Sequence, residues 1–203
     1  MNKAVFLDRD GVINEIVYNS DFGLIDSPLN PEEFKILPGV GEAIKLINEL
    51  GFLAVVVSNQ PCVAKGKTSL QLMAEIGRKM EEELAKERAR LNGVYYCFHH
   101  PDASQVKVNK YLADCACRKP KPGLLLQAAR DLNIDLADSY MIGDGLTDVQ
   151  AGTVAGCKTV LLGKPNHSWQ IEMEKQKIKP DFIVNNLLEA VNIIKGQEEE
   201  SSQ

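Results

Sequence analysis

The chain predicts a three-layer α/β/α, Rossmann-like domain on a mainly parallel sheet, with no large cap. Three observations carry that expectation. Short apolar runs alternate with stretches of helical spacing, the pattern of repeated βα units. Val55-Val56-Val57 is a continuous β-branched run, as expected of a central strand covered on both faces. Several strand-like runs end on polar residues, at the position where open α/β sheets bind ligands.

The elements follow in order. A first strand over residues 4–7 stops on Asp8-Arg9-Asp10-Gly11. Residues 15–37 hold Gly23, Pro28 and Pro31 with mixed polarity and read as a loop or flap. A helix over 39–50 carries Val40, Ala43, Ile44, Ile47 and Leu50 on one face, with Gly51 as its stop. The strand 53–57 leads into Ser58-Asn59-Gln60. Thr68-Ser69-Leu70-Gln71 has the form of a capping box opening a long helix. Its apolar stripe is Leu70, Met73, Ile76, Met80 and Leu84, reaching toward Leu91, and the charges of 81–90 are its solvated side. A strand at 93–97 precedes a long irregular insertion, 99–121, and segments of that length are commonly functional. Pro122-Gly123 opens a helix through Leu132, followed by a strand at 139–142 and a helix at 144–155. Strands at 159–162 and 182–184 close the pattern. His167 and Trp169 fall in a polar stretch between them, read as a loop packed at the domain edge. Residues 1–195 are expected to form one domain, and 196–203, three glutamates and then Ser-Ser-Gln, a disordered tail.

The chain has 203 residues, 44% hydrophobic and 25% charged, enough for one sizeable core. A net charge of −5 argues against binding a nucleic-acid backbone. No apolar run is long enough for a bilayer and the N-terminus lacks a signal-peptide layout, so we expect a cytoplasmic monomer with no membrane or nucleic-acid partner. Five cysteines, an odd count, argue against a disulfide framework. Cys157 reads as core, and Cys62 falls near the Ser58 cluster.

In a parallel sheet the strand-end groups converge on one edge. Asp8, Asp10, Ser58, Asn59, Lys119, Asp144 and Asp148 would then offer carboxylates for Mg²⁺, donors for phosphate and a cation for charge balance. Phosphoryl transfer needs this set. A carboxylate nucleophile approaching a phosphate dianion meets repulsion on the order of 4 kcal/mol per close charge pair at an effective dielectric near 20. A shared Mg²⁺ and a lysine turn repulsion into attraction. A second carboxyl can protonate the leaving oxygen and then deprotonate the attacking water.

A second cluster lies in the insertion. Cys97-Phe98-His99-His100 and Cys115-Ala116-Cys117 form the pattern C-x-H-x15-C-x-C. Three thiolates and an imidazole suit a closed, structural Zn²⁺ site that would staple this loop and place Arg118 and Lys119. His100 competes with His99 as the fourth ligand, with His99 favoured. The other reading is that these cysteines are small buried residues.

Asp8-Arg9-Asp10-Gly11, Ser58, Lys119 and Gly143-Asp144…Asp148 resemble the four ordered motifs of the haloacid dehalogenase superfamily of phosphatases. The resemblance spans roughly residues 3–163. It implies Asp8 as nucleophile and Mg²⁺ ligand, and Asp10 as general acid/base with its backbone carbonyl on Mg²⁺. It further implies Ser58 and Lys119 as phosphoryl contacts and Asp144 as the remaining metal ligand. Asp148 reads equally as a holder of the metal's waters or as an ordinary helix-face residue. The cysteine loop, the Cys-Arg-Lys-Pro run and Tyr95–Pro101 resemble the D-glycero-D-manno-heptose 1,7-bisphosphate phosphatase group. The resemblance implies hydrolysis of the C7 phosphate of a small sugar bisphosphate, toward nucleotide-activated heptose for lipopolysaccharide or another surface glycan. Arg118, Asn59 and Lys67 would contact the substrate.

The related histidinol-phosphate phosphatases carry a similar loop and are the alternative, with a non-catalytic zinc-stapled binding module a distant one. Three positions depart from the heptose group. Gly145 stands where a lysine follows the motif aspartate, residues 18–34 make a longer flap, and Pro61-Cys62 replaces a small, flexible pair. That flap and the zinc loop are the candidates to cover the substrate. Gly66-Lys67-Thr68 looks like the end of a P-loop, but Pro61 occupies the required first glycine position.

Overall fold

The computed structural model describes residues 1–19, 24–165 and 167–201. Its strands are β1 (Ala4–Leu7), β2 (Val17–Asn19), β3 (Leu24–Asp26), β4 (Leu53–Asn59), β5 (Gly93–Cys97), β6 (Tyr140–Gly143), β7 (Lys158–Leu162) and β8 (Phe182–Val184). Its helices are α1 (Val40–Glu49), α2 (Leu70–Lys86), α3 (Gly123–Asp131), α4 (Leu146–Ala155), α5 (His167–Gln176) and α6 (Leu187–Ser201). Six strands form one parallel sheet in the order β5-β4-β1-β6-β7-β8. The chain winds outward from β1 through β4 to β5, then crosses back to place β6 on the other side of β1. That reversal leaves a crevice beyond the carboxyl ends of β1, β4 and β6.

Strand periodicity explains the layers. Val5, Leu7 and Val56 point to one face, where they pack against Ala43 and Ile44 of α1, Met73 and Ile76 of α2, and Ala190 and Ile194 of α6. Ala4, Phe6, Val55 and Val57 point to the other face, against Leu125 and Ala128 of α3 and Ala151 of α4. All are buried, and each large aliphatic among them stabilises the fold by about 1.5–3 kcal/mol relative to exposure. The expected three-layer arrangement is therefore present, on a sheet that is wholly rather than mainly parallel.

Local differences from the sequence reading have identifiable causes. Ser69 caps α2 by accepting from the Leu72 amide at 3.1 Å. Thr68 instead donates to the Leu29 carbonyl at 2.6 Å, tying the flap to the start of α2. Leu70 leaves the predicted stripe and is 46% exposed, because the buried face of α2 begins at Met73. The flap contains an antiparallel hairpin, β2–β3, with Val17 opposite Asp26, and residues 20–23 lie outside the described residues.

His167 and Trp169 belong to α5, not to a loop. That helix buries no residue, so its sequence carries no apolar stripe to read. Leu187, Ala190, Val191 and Ile194 do form such a stripe, on α6. The expected tail from Gly196 is helical through Ser201, since glutamates sustain a helix and Lys3 Nζ meets Glu198 Oε2 at 2.8 Å; 202 and 203 lie outside the described residues. Among the described residues, no helix is long and apolar enough to cross a membrane.

Candidate active site

The end of β1 sets the frame. Asp8 follows the last pair of the ladder, and its amide still bonds the Ile142 carbonyl at 3.0 Å. The chain then turns sharply, with the amides of Ile13 and Asn14 both donating to the Arg9 carbonyl. Gly11 takes φ +81°, and a Cβ there would lie 2.0 Å from Asp144 Oδ2. Glycine is therefore required twice, for the left-handed backbone and for the approach of Asp144 from β6.

Lys119 stands at the centre. It is buried, donates to the Val57 carbonyl at 2.8 Å, and lies 3.0 Å from Asp8 Oδ1 and 2.5 Å from Asp148 Oδ1. Burial alone would lower its pKa, but Asp148 and Asp8 outweigh burial and raise it, so it stays a cation. The side chains of Asp8, Asp144 and Asp148 each offer an oxygen within 4.8 Å of the others. Burial, followed by the charges of Asp8 and Asp148, pushes Asp144 up to about 7. Burial also pushes Asp148 up to about 6, even though Lys119 pulls it down. Three crowded carboxylates that offer oxygen donors only fit a hard divalent cation. Asp148 is thus no ordinary helix-face aspartate. It is buried, it holds Lys119, and it accepts from the Gly145 amide at 3.0 Å at the start of α4.

Asp10 faces away from that oxygen cluster. Its Oδ1 accepts from Arg9 Nε at 3.1 Å, Arg9 Nη2 at 2.9 Å and Asn14 Nδ2 at 3.0 Å. Its Oδ2 accepts from Gln60 Nε2 at 2.7 Å, Ser27 Oγ at 2.8 Å and, more weakly, Arg9 Nη2 at 3.3 Å. Burial would raise its pKa, but the Arg9 guanidinium and these donors hold the carboxyl below its ordinary value. The side-chain carboxylates that could hold a metal ion are therefore Asp8, Asp144 and Asp148, with the Asp10 carboxylate outside that group because it is committed to Arg9 and its neighbours.

Asp8, Asp10, Ser58, Asn59, Arg118 and Asp144 line one open cleft of about 300 Å³, which Ile16 and Ser27 of the flap also border. Asn59 is held at both ends, giving its Nδ2 to the Lys119 carbonyl and accepting the Lys119 amide, each at 3.0 Å. Its carboxamide positions Lys119 rather than reaching for a ligand. Arg118 is fixed by a 3.3 Å bond from Nη1 to the His99 carbonyl. Lys67 is exposed and is not among the residues lining this cleft.

The insertion brings Cys97, His99, Cys115 and Cys117 together. The three sulfurs lie 3.1–3.4 Å apart, with His99 Nδ1 at 3.5 Å from Cys117 Sγ and 3.8 Å from Cys97 Sγ. His100 is not part of this set, and its Nδ1 accepts from the Asp102 amide at 3.2 Å. Burial and the neighbouring Cys117 thiol push Cys97 up. Among the described residues this group holds three thiols and one imidazole, a set that suits a closed Zn²⁺ site.

Sequence reasoning missed Arg9, Asn14, Ser27 and Gln60, the groups around Asp10. Arg9 and Gln60 sit inside the motifs, and the usable signal is a charged residue between two strand-end aspartates. Arg9 is fully buried, lying 5.5 Å over the Tyr96 ring.

The comparisons with known proteins agree with this geometry. A family described as HAD-hydrolase-like matches residues 116–190. The D-glycero-beta-D-manno-heptose-1,7-bisphosphate 7-phosphatase of Haemophilus ducreyi is 39% identical over 190 residues, covering 93% of this chain and 96% of that protein. The enzyme of the same name from Escherichia coli K12 is 37% identical over 195 residues, covering 96% and 95%. The D,D-heptose 1,7-bisphosphate phosphatase of B. bronchiseptica, solved with magnesium and phosphate, superposes with a TM-score of 0.76 at 28% identity, covering 96% of this chain and 99% of that one. With a wholly parallel HAD-like fold and the motif residues gathered in one cleft, the chain is a phosphoric monoester hydrolase that belongs to the heptose-1,7-bisphosphate 7-phosphatase family of HAD-like hydrolases.

Proposed function

We propose that this protein hydrolyses the C7 phosphate of D-glycero-D-manno-heptose 1,7-bisphosphate through an aspartyl-phosphate intermediate. The observation that carries the chemistry is the pairing of Asp8 with the buried cation of Lys119, 3.0 Å apart, in a cleft that Asp10, Ser58 and Arg118 share. The substrate rests on the relatives, 35–39% identical over nearly their whole length. Arg118 at the cleft and the small, open volume fit a compact polyanionic sugar.

Asp8 attacks phosphorus, and the bond to the leaving oxygen breaks as Asp10 gives that oxygen a proton. Water then attacks the phosphorus of the acyl phosphate, passes its proton to Asp10 and releases the Asp8 carboxylate. The substrate dianion raises the pKa of Asp10 on arrival, which supports its taking up the proton that the ligand-free site disfavours. Ser58 and Lys119 hold the transferring group, and Asp148 keeps Lys119 aimed at it. Asp8, Asp144 and Asp148, with the Asp10 backbone carbonyl as a further candidate, would hold Mg²⁺. When bound it supplies positive charge that offsets repulsion between nucleophile and phosphate. Cys97, His99, Cys115 and Cys117 would hold Zn²⁺ and fix the loop that carries Arg118 and Lys119. A monomer acting in the cytoplasm completes this reading.

The test is phosphate release, with Mg²⁺ present, from the heptose bisphosphate and from histidinol phosphate side by side. A strong preference for the bisphosphate is expected. The reverse preference overturns the substrate, and no turnover of any phosphate monoester overturns the chemistry.

A further inference from the structure

Gln60 is fully buried just past the end of β4 and is not among the residues lining the cleft. Its carboxamide has one possible orientation. Oε1 accepts from Arg9 Nη2 at 3.0 Å, and a guanidinium only donates, so Nε2 must face the other way. The two Nε2 hydrogens then go to Asp10 Oδ2 at 2.7 Å and Ser58 Oγ at 3.1 Å. One amide thus spans the residue that moves the proton and the residue that seats the phosphoryl group. It is anchored in turn, since the Gln60 backbone amide donates to the carbonyl of Cys97 at 2.7 Å. Arg9 Nη2 also reaches Oδ2, at a longer 3.3 Å, and the remaining donor is different in kind. Ser27 reaches it at 2.8 Å from the base of the flap and borders the cleft. A hydroxyl rotates and can accept as well as donate, so Ser27 can adjust when Oδ2 carries a proton, whereas Gln60 stays fixed.

We propose that Gln60 and Ser27 are positioning residues that fix Asp10 Oδ2 relative to Ser58, so that proton transfer to the leaving oxygen coincides with phosphoryl transfer. This rests on the reading of Asp10 as the general acid/base. A proton matters most to a basic leaving group, which cannot depart as an alkoxide, and least to a nitrophenolate, which can. Loss of aim therefore appears as selectivity between leaving groups, which a general loss of structure does not produce.

The experiment compares kcat/KM for a sugar phosphate and for p-nitrophenyl phosphate, because kcat/KM reports the first chemical step whichever step limits kcat. Asp10→Asn is the reference and should lower the sugar phosphate by about 10²- to 10⁴-fold while largely sparing the aryl ester. Gln60→Met keeps the volume and removes the donors. It should lower the sugar phosphate by about 10- to 100-fold and the aryl ester by less than about 3-fold. Ser27→Ala, at the cleft edge, should show the same selectivity at about 3- to 10-fold, and it decides the matter if Gln60→Met fails to fold. Equal losses on both esters, or none, overturn the positioning role. If Asp10→Asn itself shows no selectivity, the acid/base reading falls and takes the proposal with it. Selectivity in Asp10→Asn but in neither other variant refutes the positioning role alone.

Discussion

Replacing Lys119 with methionine should convert the centre of the site from a balanced cluster into three unbalanced carboxylates. Lys119 Nζ stands 3.0 Å from Asp8 Oδ1 and 2.5 Å from Asp148 Oδ1, with all but 1% of its side chain buried. At an effective dielectric near 20, each contact corresponds to about 6 kcal/mol of Coulomb attraction before desolvation is subtracted. Breaking a buried pair from one side leaves a net cost of about 3–5 kcal/mol. That cost should depend on pH in a definite sense. Asp148 already sits at about 6 with the lysine present, and Lys119 is the main influence holding it down. Without the lysine, Asp148 titrates higher still. A carboxyl whose folded-state pKa is raised loses stability as pH rises from its unfolded value through its folded one. The deficit of Lys119→Met should therefore be largest near pH 8 and shrink toward pH 5. The assay is urea unfolding at several pH values, on protein freed of Mg²⁺ by dialysis rather than by a chelator that would also strip zinc. Added Mg²⁺ should recover part of the stability but not the activity, which should fall by about 10²- to 10³-fold in kcat. Equal stability at pH 8, or a deficit that does not change with pH, would refute the electrostatic account.

Three further outcomes are expected. Gly11→Ala should strain the left-handed turn by about 1–2 kcal/mol and push Asp144 aside, raising the Mg²⁺ concentration needed for half-maximal activity; an unchanged Mg²⁺ titration would show that Asp144 is not a ligand. Cys115→Ser should lose bound zinc by elemental analysis and leave residues 99–118 open to proteolysis, with KM rising as Arg118 loosens; full zinc retention would show that the ligand set is wrong. Asp144 at about 7 and Asp148 at about 6 are both raised above the unfolded carboxylate, so the Mg²⁺-free protein should lose stability as pH rises from about 4 through 7. The gain in Tm on adding Mg²⁺ should then be larger at pH 8 than at pH 5, and an equal gain at both would disprove the coupling.

The sheet, the order of most elements and most polar residues of the cleft were legible in residue type and spacing. Val55-Val56-Val57 could only be covered on both faces. Asp8, Ser58 and Asp144 were legible because parallel strands deliver their ends to one edge whatever the loops do, and Lys119 through its place in the motif order. Those signals are local, carried by residue type and spacing. What only the tertiary structure decided depends on neighbours distant in sequence. Asp148 read equally as helix face or site, and its burial against Lys119, from a different loop, settled it. His99 enters the cysteine cluster because the fold brings its Nδ1 to 3.5 Å from Cys117 Sγ, across the insertion. Arg9 and Gln60 sit inside motifs that say nothing of their partners, and they meet across β1 and β4 and bind Asp10. A buried polar group is stable only when its partners are supplied, and partners 50 residues apart are brought together by the fold alone.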